Sequence, residues 1–290
     1  MGRLWHDPPM LRLLCAWIAP SLVVLSLAAP AVAEGWSQTS KVADQVKPPK
    51  GGNDPEMPDS GGVSEEDAAL YMAQDAVLSI FYHEMGHALI DILQAPVLGL
   101  EEDAADVLSA LLINELWDEA ASEEKLRATA AFWAASASET MASGEMPLNY
   151  GVHSPDDRRY FTYVCLWYGA SPDTREAVAI ELGLPEDRAM SCPGEFDLAS
   201  RSWGPYLDEA YEAGAGTSLV WQGPDPEDDP FAAMLKDEVD YLNSVLSLPQ
   251  ELTVTLAPCG EANAFYDPSV VGVTVCSEIT EWALDVAHNQ

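Results

Sequence analysis

Basic residues are scarce in this chain: 13 Lys and Arg stand against 48 Asp and Glu in 290 residues, leaving a formal net charge of -35 and a pI near 4.1. A field of that sign repels nucleic acid and anionic membrane surfaces, so a nucleic-acid partner is not expected. Glycine-rich phosphate loops, basic stripes and a Ser/His/Asp order are all missing, which removes the common nucleotide-binding and serine-hydrolase signatures. Cysteine is sparse too, with 5 residues and no C-x-x-C pair, and that spacing argues against a four-thiolate structural zinc. The acid-rich "DPEDDP" at 225–230 lacks the glycine and alternating ligands of an EF-hand loop. The excess acids read most simply as a solvated coat on an exported protein.

What is present is enough for a folded core. Hydrophobic residues make up 48% and charged residues 21% of the chain, within the globular range. At the N-terminus, Arg3 and Arg12 precede the apolar "LLCAWIAPSLVVLSLAA", and "AVA" at 31–33 supplies the small residues of a cleavage site. Residues 1–33 therefore read as a signal peptide, with a periplasmic or secreted location and no stable membrane insertion after cleavage. An uncleaved anchor over Leu13–Ala33 is the alternative, opposed by Pro20 and Pro30. A lipoprotein signal is opposed by Leu14, which stands before Cys15 where a small residue is needed. Cleavage leaves Cys165, Cys192, Cys259 and Cys276, an even number that suggests two disulfides in an oxidising compartment. Three pairings are possible, and proximity favours Cys165 with Cys192 and Cys259 with Cys276.

Residues 34–62, rich in Pro, Gly and charge, read as a flexible linker, and the folded domain is expected over 63–290. Ser64 and the acids after it predict a helix start, and Pro96 a stop, around one long helix or two joined near residue 75. Further helices are expected at 101–117, 123–142, 156–168, 174–182 and 231–246. The β-branched runs at 251–258 and 271–279 suggest two strands joined by a loop. The fold class is α+β, mainly helical, with a small β-sheet contributed by the C-terminal hairpin.

One stretch of the first helix carries chemistry: "FYHEMGHALIDIL", residues 81–93. His83 and His87 are four residues apart, so a helix puts both on one face, where each can direct a ring nitrogen to one metal ion. Glu84 lies about a hundred degrees round the helix, placed to act as a general base on water beside the metal. Two imidazoles and a carboxylate inside an apolar helix are costly to bury without a partner. Gly86 weakens the helix but allows close approach by another backbone or by substrate.

Zinc needs a third protein ligand, and the next helix opens with Glu101, Glu102, Asp103 and Asp106. In "EDAAD", Glu102 and Asp106 share one face between small Ala104 and Ala105. Spacing favours Glu102 as the ligand, with Asp106 accepting the other N–H of a ligand histidine; Glu101 is the rival ligand.

"HEMGH" followed by a glutamate with an aspartate four residues on resembles the gluzincin metallopeptidases, especially those of the CAAX prenyl protease type. That resemblance implies a zincin-like domain in which His83, His87 and Glu102 hold zinc, Glu84 is the base and Asp106 orients a histidine. "ANAFYDPSVVGVTVCSEI" is similar to the strand, turn and strand that in that group precede the HExxH helix and give substrate its docking edge. Here the order would be circularly permuted, with the C-terminal hairpin folding back beside the active helix. Through "HEMGH", "PVLGLEEDAAD", "FTYVCLWYG" and "CGEANAFYDP", about residues 65–280 also resemble a bacterial family assigned to the metallopeptidases.

His153 is a candidate oxyanion donor, and Arg158, Arg159 and Tyr266 are candidate oxyanion or substrate contacts. Trp167, Tyr168, Trp203 and Tyr206 read as core and turn aromatics. The expected function is an exported zinc metallopeptidase acting on peptide or protein substrates. The alternative is a metal- or protein-binding module without turnover on the same scaffold.

Overall fold

The computed structural model describes residues 63–144 and 150–290, so the expected signal peptide and linker lie outside the described residues. Helix α1 (Glu65–Ile92) is one continuous 28-residue helix, opened by Ser64, whose side chain accepts from the Asp67 N–H. Every residue from Ala76 to Gly86 is buried. A helix apolar all round belongs inside a protein rather than on its surface, and α1 is the axis on which the other elements pack.

Around it run α2 (Glu101–Leu116), α3 (Glu119–Ala142), α4 (Asp156–Ala170), α5 (Pro172–Glu181), the short α6 (Glu186–Ala189) and α7 (Cys192–Glu212). Strand β1 (Leu219–Trp221) and α8 (Pro230–Val245) precede β2 (Leu252–Ala257), β3 (Ala264–Asp267), β4 (Gly272–Cys276) and the closing helix α9 (Ser277–His288). Helix α1 touches α2, α3, α9, β3 and β4 directly. Among the described residues no helix is long and apolar enough to cross a membrane.

The chain is α+β and mainly helical, and the sheet is richer than two strands and a loop. Its order is β1-β2-β4-β3, with β1, β2 and β4 parallel and β3 antiparallel to β4. The two β-branched runs are thus parallel neighbours, and the segment between them supplies β3, the outer strand beside α1. The second run also stops early, because Ser277 begins α9 where a strand was expected to Ile279.

Cys165 is bonded to Cys192, tying α4 to the start of α7, and Cys259 is bonded to Cys276, tying the segment after β2 to the end of β4. The first bond works at close quarters: a Cβ on Gly169 would stand 2.3 Å from the Cys192 carbonyl oxygen.

Candidate metal centre

Helices α1 and α2 approach closely at one point. A Cβ on Gly86 would lie 2.8 Å from the Ala105 Cα and 3.0 Å from its Cβ, so only glycine opposite alanine permits this spacing. Ser109 Oγ donates to the Ser79 carbonyl at 2.7 Å and fastens the two helices about one to two turns away. This contact brings the histidine face of α1 against the acidic first turns of α2.

The three groups expected to share a metal converge. His83 Nε2 lies 3.2 Å from Glu102 Oε2 and 3.3 Å from His87 Nε2, and His87 Nε2 lies 3.4 Å from Glu102 Oε2. Tetrahedral ligands bound at about 2.0–2.1 Å stand about 3.3–3.4 Å from one another, so this triangle has the size a metal ion of the zinc type requires. The hydrogen bonds around it fix what the nitrogens present. His83 Nδ1 is 2.8 Å from Asp106 Oδ1, and His87 Nδ1 is 2.8 Å from Glu101 Oε1. Ionised carboxylates only accept, which puts the protons on both Nδ1 atoms and leaves two Nε2 lone pairs and one carboxylate oxygen facing a common point.

Three converging acceptors need a cation, and without a metal that cation is a proton. Burial acts to lower the basicity of His83, but hydrogen bonds to Asp106 and Glu102 outweigh it and push the pKa up to about 9. His87 is raised in the same way, burial being overcome by Glu102 and Glu101. Glu102 is held well below the usual carboxylate range, because hydrogen bonds from His153, His83 and His87 outweigh its burial. Glu84 is buried as well, and there burial dominates: it raises the carboxyl's pKa against the pull of His83 and His87.

Behind the histidines lies a support that the sequence did not suggest. Arg159, on the first turn of α4, is buried and donates twice to Asp106, from Nε to Oδ2 at 2.8 Å and from Nη2 to Oδ1 at 2.6 Å. Its guanidinium stacks over Trp133 of α3, 3.6 Å from the ring centroid. Burial would raise Asp106, but Arg159 and the His83 hydrogen bond keep it ionised. Arg159 is therefore no free oxyanion or substrate contact. Arg158 remains on the surface, 3.3 Å from Asp103 Oδ2, and Ser154 Oγ donates to Asp103 Oδ1 at 2.6 Å.

The remaining candidates spread around this centre. His153 Nε2 is 3.0 Å from Glu102 Oε2, and its side chain is 58% exposed. Tyr266 of β3 donates from Oη to Asp91 Oδ2 at 2.7 Å, and Asp91 follows His83 and His87 at four-residue intervals on the same face of α1. Trp167 and Trp203 are buried in the core, with Trp167 Nε1 donating to Ser122 Oγ at 3.2 Å.

Fold and donor set together define a mainly helical α+β protein with a candidate metal centre at the meeting of two helices. Residues 57–207 and 231–290 match the family model DUF4344, described as "Putative metallopeptidase", and the chain belongs to that family. The family carries with it a hydrolase assignment, a metal cofactor and peptide or protein substrates at the level of its description. No curated protein and no solved structure matched the chain in the corresponding comparisons.

Proposed function

We propose that the protein is an exported, zincin-like, zinc-dependent peptidase. The observation that carries this reading is the convergence of His83 Nε2, His87 Nε2 and Glu102 Oε2 at tetrahedral spacing with their protons directed away. Two imidazoles and one carboxylate with a further position open form the donor set of a hydrolytic rather than a structural zinc. When bound, zinc supplies Lewis-acid activation of water and of the scissile carbonyl.

The protein's own groups do the rest. Asp106, gripped by Arg159, fixes the His83 ring so that Nε2 faces the centre. Glu84, whose pKa burial raises above the ordinary carboxylate value, removes a proton from the attacking water as its oxygen bonds to the carbonyl carbon, and passes it to the amide nitrogen as the C–N bond breaks. His153, exposed with Nε2 3.0 Å from Glu102 Oε2, is the candidate donor to the oxyanion on this reading. Among the described residues strand β3 has a strand partner on one side only, and it is pinned to the histidine face of α1 through Tyr266 and Asp91, which supports docking of an extended peptide on its outer edge. That arrangement is the one the resemblance to CAAX-type proteases implies for a permuted hairpin. The two disulfides accord with an exported location.

The test is metal analysis with a protease assay on wild type and Glu84→Gln. Stoichiometric zinc in both proteins, with cleavage lost only in Glu84→Gln, is the expected result. A wild type that takes up no zinc sinks the reading. Zinc in both proteins and cleavage by neither establishes a binding module instead.

A further inference from the structure

A cavity of about 420 Å³ opens just past the histidine face of α1, within the size range of ligand sites. Asp91 lines it from the helix, Gln94 from the segment that follows, Pro249 and Gln250 from the approach to β2, and Pro268 and Val271 from the turn between β3 and β4. Among the described residues its lining holds a carboxylate and two amides and no cation. Asp91 is one helical turn beyond His87, about 6 Å along the axis, and β3 runs straight into the cavity, since Pro268 follows its last residue.

Three observations give the cavity a preference. The Asp91 carboxylate takes one hydrogen bond from Tyr266 and has acceptor capacity left. Every Lys and Arg among the described residues already has a carboxylate within ion-pairing distance, so the chain's own cations are committed elsewhere while acids remain in large excess. Gln94 and Val271, the two non-glycine residues with positive φ among the described residues, both line this cavity, at 52° and 51°. A β-branched residue in that region is strained, and such strain is held where the surrounding structure requires a particular shape.

We propose that this cavity receives a lysine or arginine side chain of an extended peptide laid along β3, so that the protein selects cationic peptides. The inference rests on the peptidase reading for its purpose but not for its geometry. Asp91 would bind the cationic head, the amides of Gln94 and Gln250 would supply polar walls, and the surrounding negative field would raise the encounter rate.

Binding of short fluorescent peptides is measured on the full chain carrying Glu84→Gln, treated with chelator. In the peptide set a single lysine is moved through each position and compared with uncharged norleucine of similar length. The net field favours lysine at every position, and the cavity appears as the position where lysine wins by about tenfold more than elsewhere and does so only with Asp91 present, as a hydrogen bond to a charged group gives. Asp91→Asn keeps an acceptor for Tyr266 and should abolish that extra preference, so that lysine at that position gains no more over norleucine than it does elsewhere. Gln250→Lys should reverse it. A flat profile along the peptide, or a preference that survives both substitutions, overturns the proposal. Cleavage of the same peptides by wild type separates the two readings. A position-specific preference without cleavage keeps the cavity and sinks the peptidase; cleavage without an Asp91-dependent preference does the reverse.

Discussion

The guanidinium of Arg159 grips the carboxylate of Asp106 edge to edge, and the same carboxylate holds His83 Nδ1 at 2.8 Å. The orientation of a candidate metal ligand thus depends on a residue of another helix. Removing Arg159 leaves a buried, uncompensated carboxylate, which typically costs about 3–5 kcal/mol. Arg159→Ala should therefore lower the denaturation midpoint sharply. Arg159→Lys keeps the charge but loses the two-pronged grip; it should fold and bind zinc about 10–100-fold more weakly, as carboxylates behind metal-bound histidines usually show. Competition with a chromophoric chelator measures this, and unchanged affinity in Arg159→Lys would deny Arg159 a positioning role.

In the proposed zinc site, metal and proton compete at His83. Its pKa in the metal-free protein is about 9, above the ordinary 6.5, because Asp106 and Glu102 outweigh the effect of burial. Zinc must displace this proton, so apparent affinity should rise from pH 6.5 toward pH 9, by up to about tenfold per pH unit where this group alone titrates. The metal-free protein should show the opposite trend from this group. A pKa raised by folding stabilises fully below the unfolded value near 6.5, and that contribution is lost as pH climbs through about 9. Melting curves with and without chelator across this range check both signs, and a metal-free melting temperature insensitive to His83→Asn at pH 6.5 would remove the linkage.

The pairs that make up the candidate site are more legible in the sequence than the elements that support it, for a physical reason. His83 with His87, and Glu102 with Asp106, are local pairs at helical spacing, and Gly86 with Ala105 shows in residue size alone. Arg159 is 53 residues from Asp106, and nothing in "HSPDDRRYF" distinguishes it from Arg158, which stays on the surface. Helix α7 is not among the expected helices; it contains Pro193, Gly194, Gly204 and Pro205, residue types that disfavour an isolated helix. Pro193 stands in its first turn, where a missing N–H costs little, and Pro205 lies inside the helix, where the surrounding fold overrides local propensity. Strand β1 has three residues, too few for a period, and α9 was masked by the β-branched run that leads directly into it.

Gly86 is required by the approach of α2, not by flexibility. Gly86→Ala puts a methyl group 2.8 Å from the Ala105 Cα, which must force the helices apart. Overpacking of this kind typically costs about 1–3 kcal/mol, and here it also spreads the histidine pair from Glu102. The variant should lose both thermal stability and zinc affinity. Gly99→Ala, where an added Cβ meets nothing within 4 Å, is the control that should lose neither. Equal behaviour of the two variants in melting and zinc competition would mean that the helix contact does not set the site.

Glu101 and Glu102 are adjacent on α2 and both touch His87, yet they do different work. Glu102 Oε2 stands in the triangle with both Nε2 atoms, whereas Glu101 Oε1 meets His87 at Nδ1, on the side away from the centre, and its side chain is 53% exposed. Glu102→Ala removes one of three donors and should abolish stoichiometric zinc. Glu101→Ala removes only an acceptor that orients the ring, and water can replace it at that exposed position; a loss of no more than about tenfold is expected, the low end for such outer partners. The ranking depends on which carboxylate faces the Nε2 lone pairs, so it is independent of whether any peptide is cut. Zinc retained in Glu102→Ala and lost in Glu101→Ala would reverse the ligand assignment and require the first turn of α2 to rotate when metal binds.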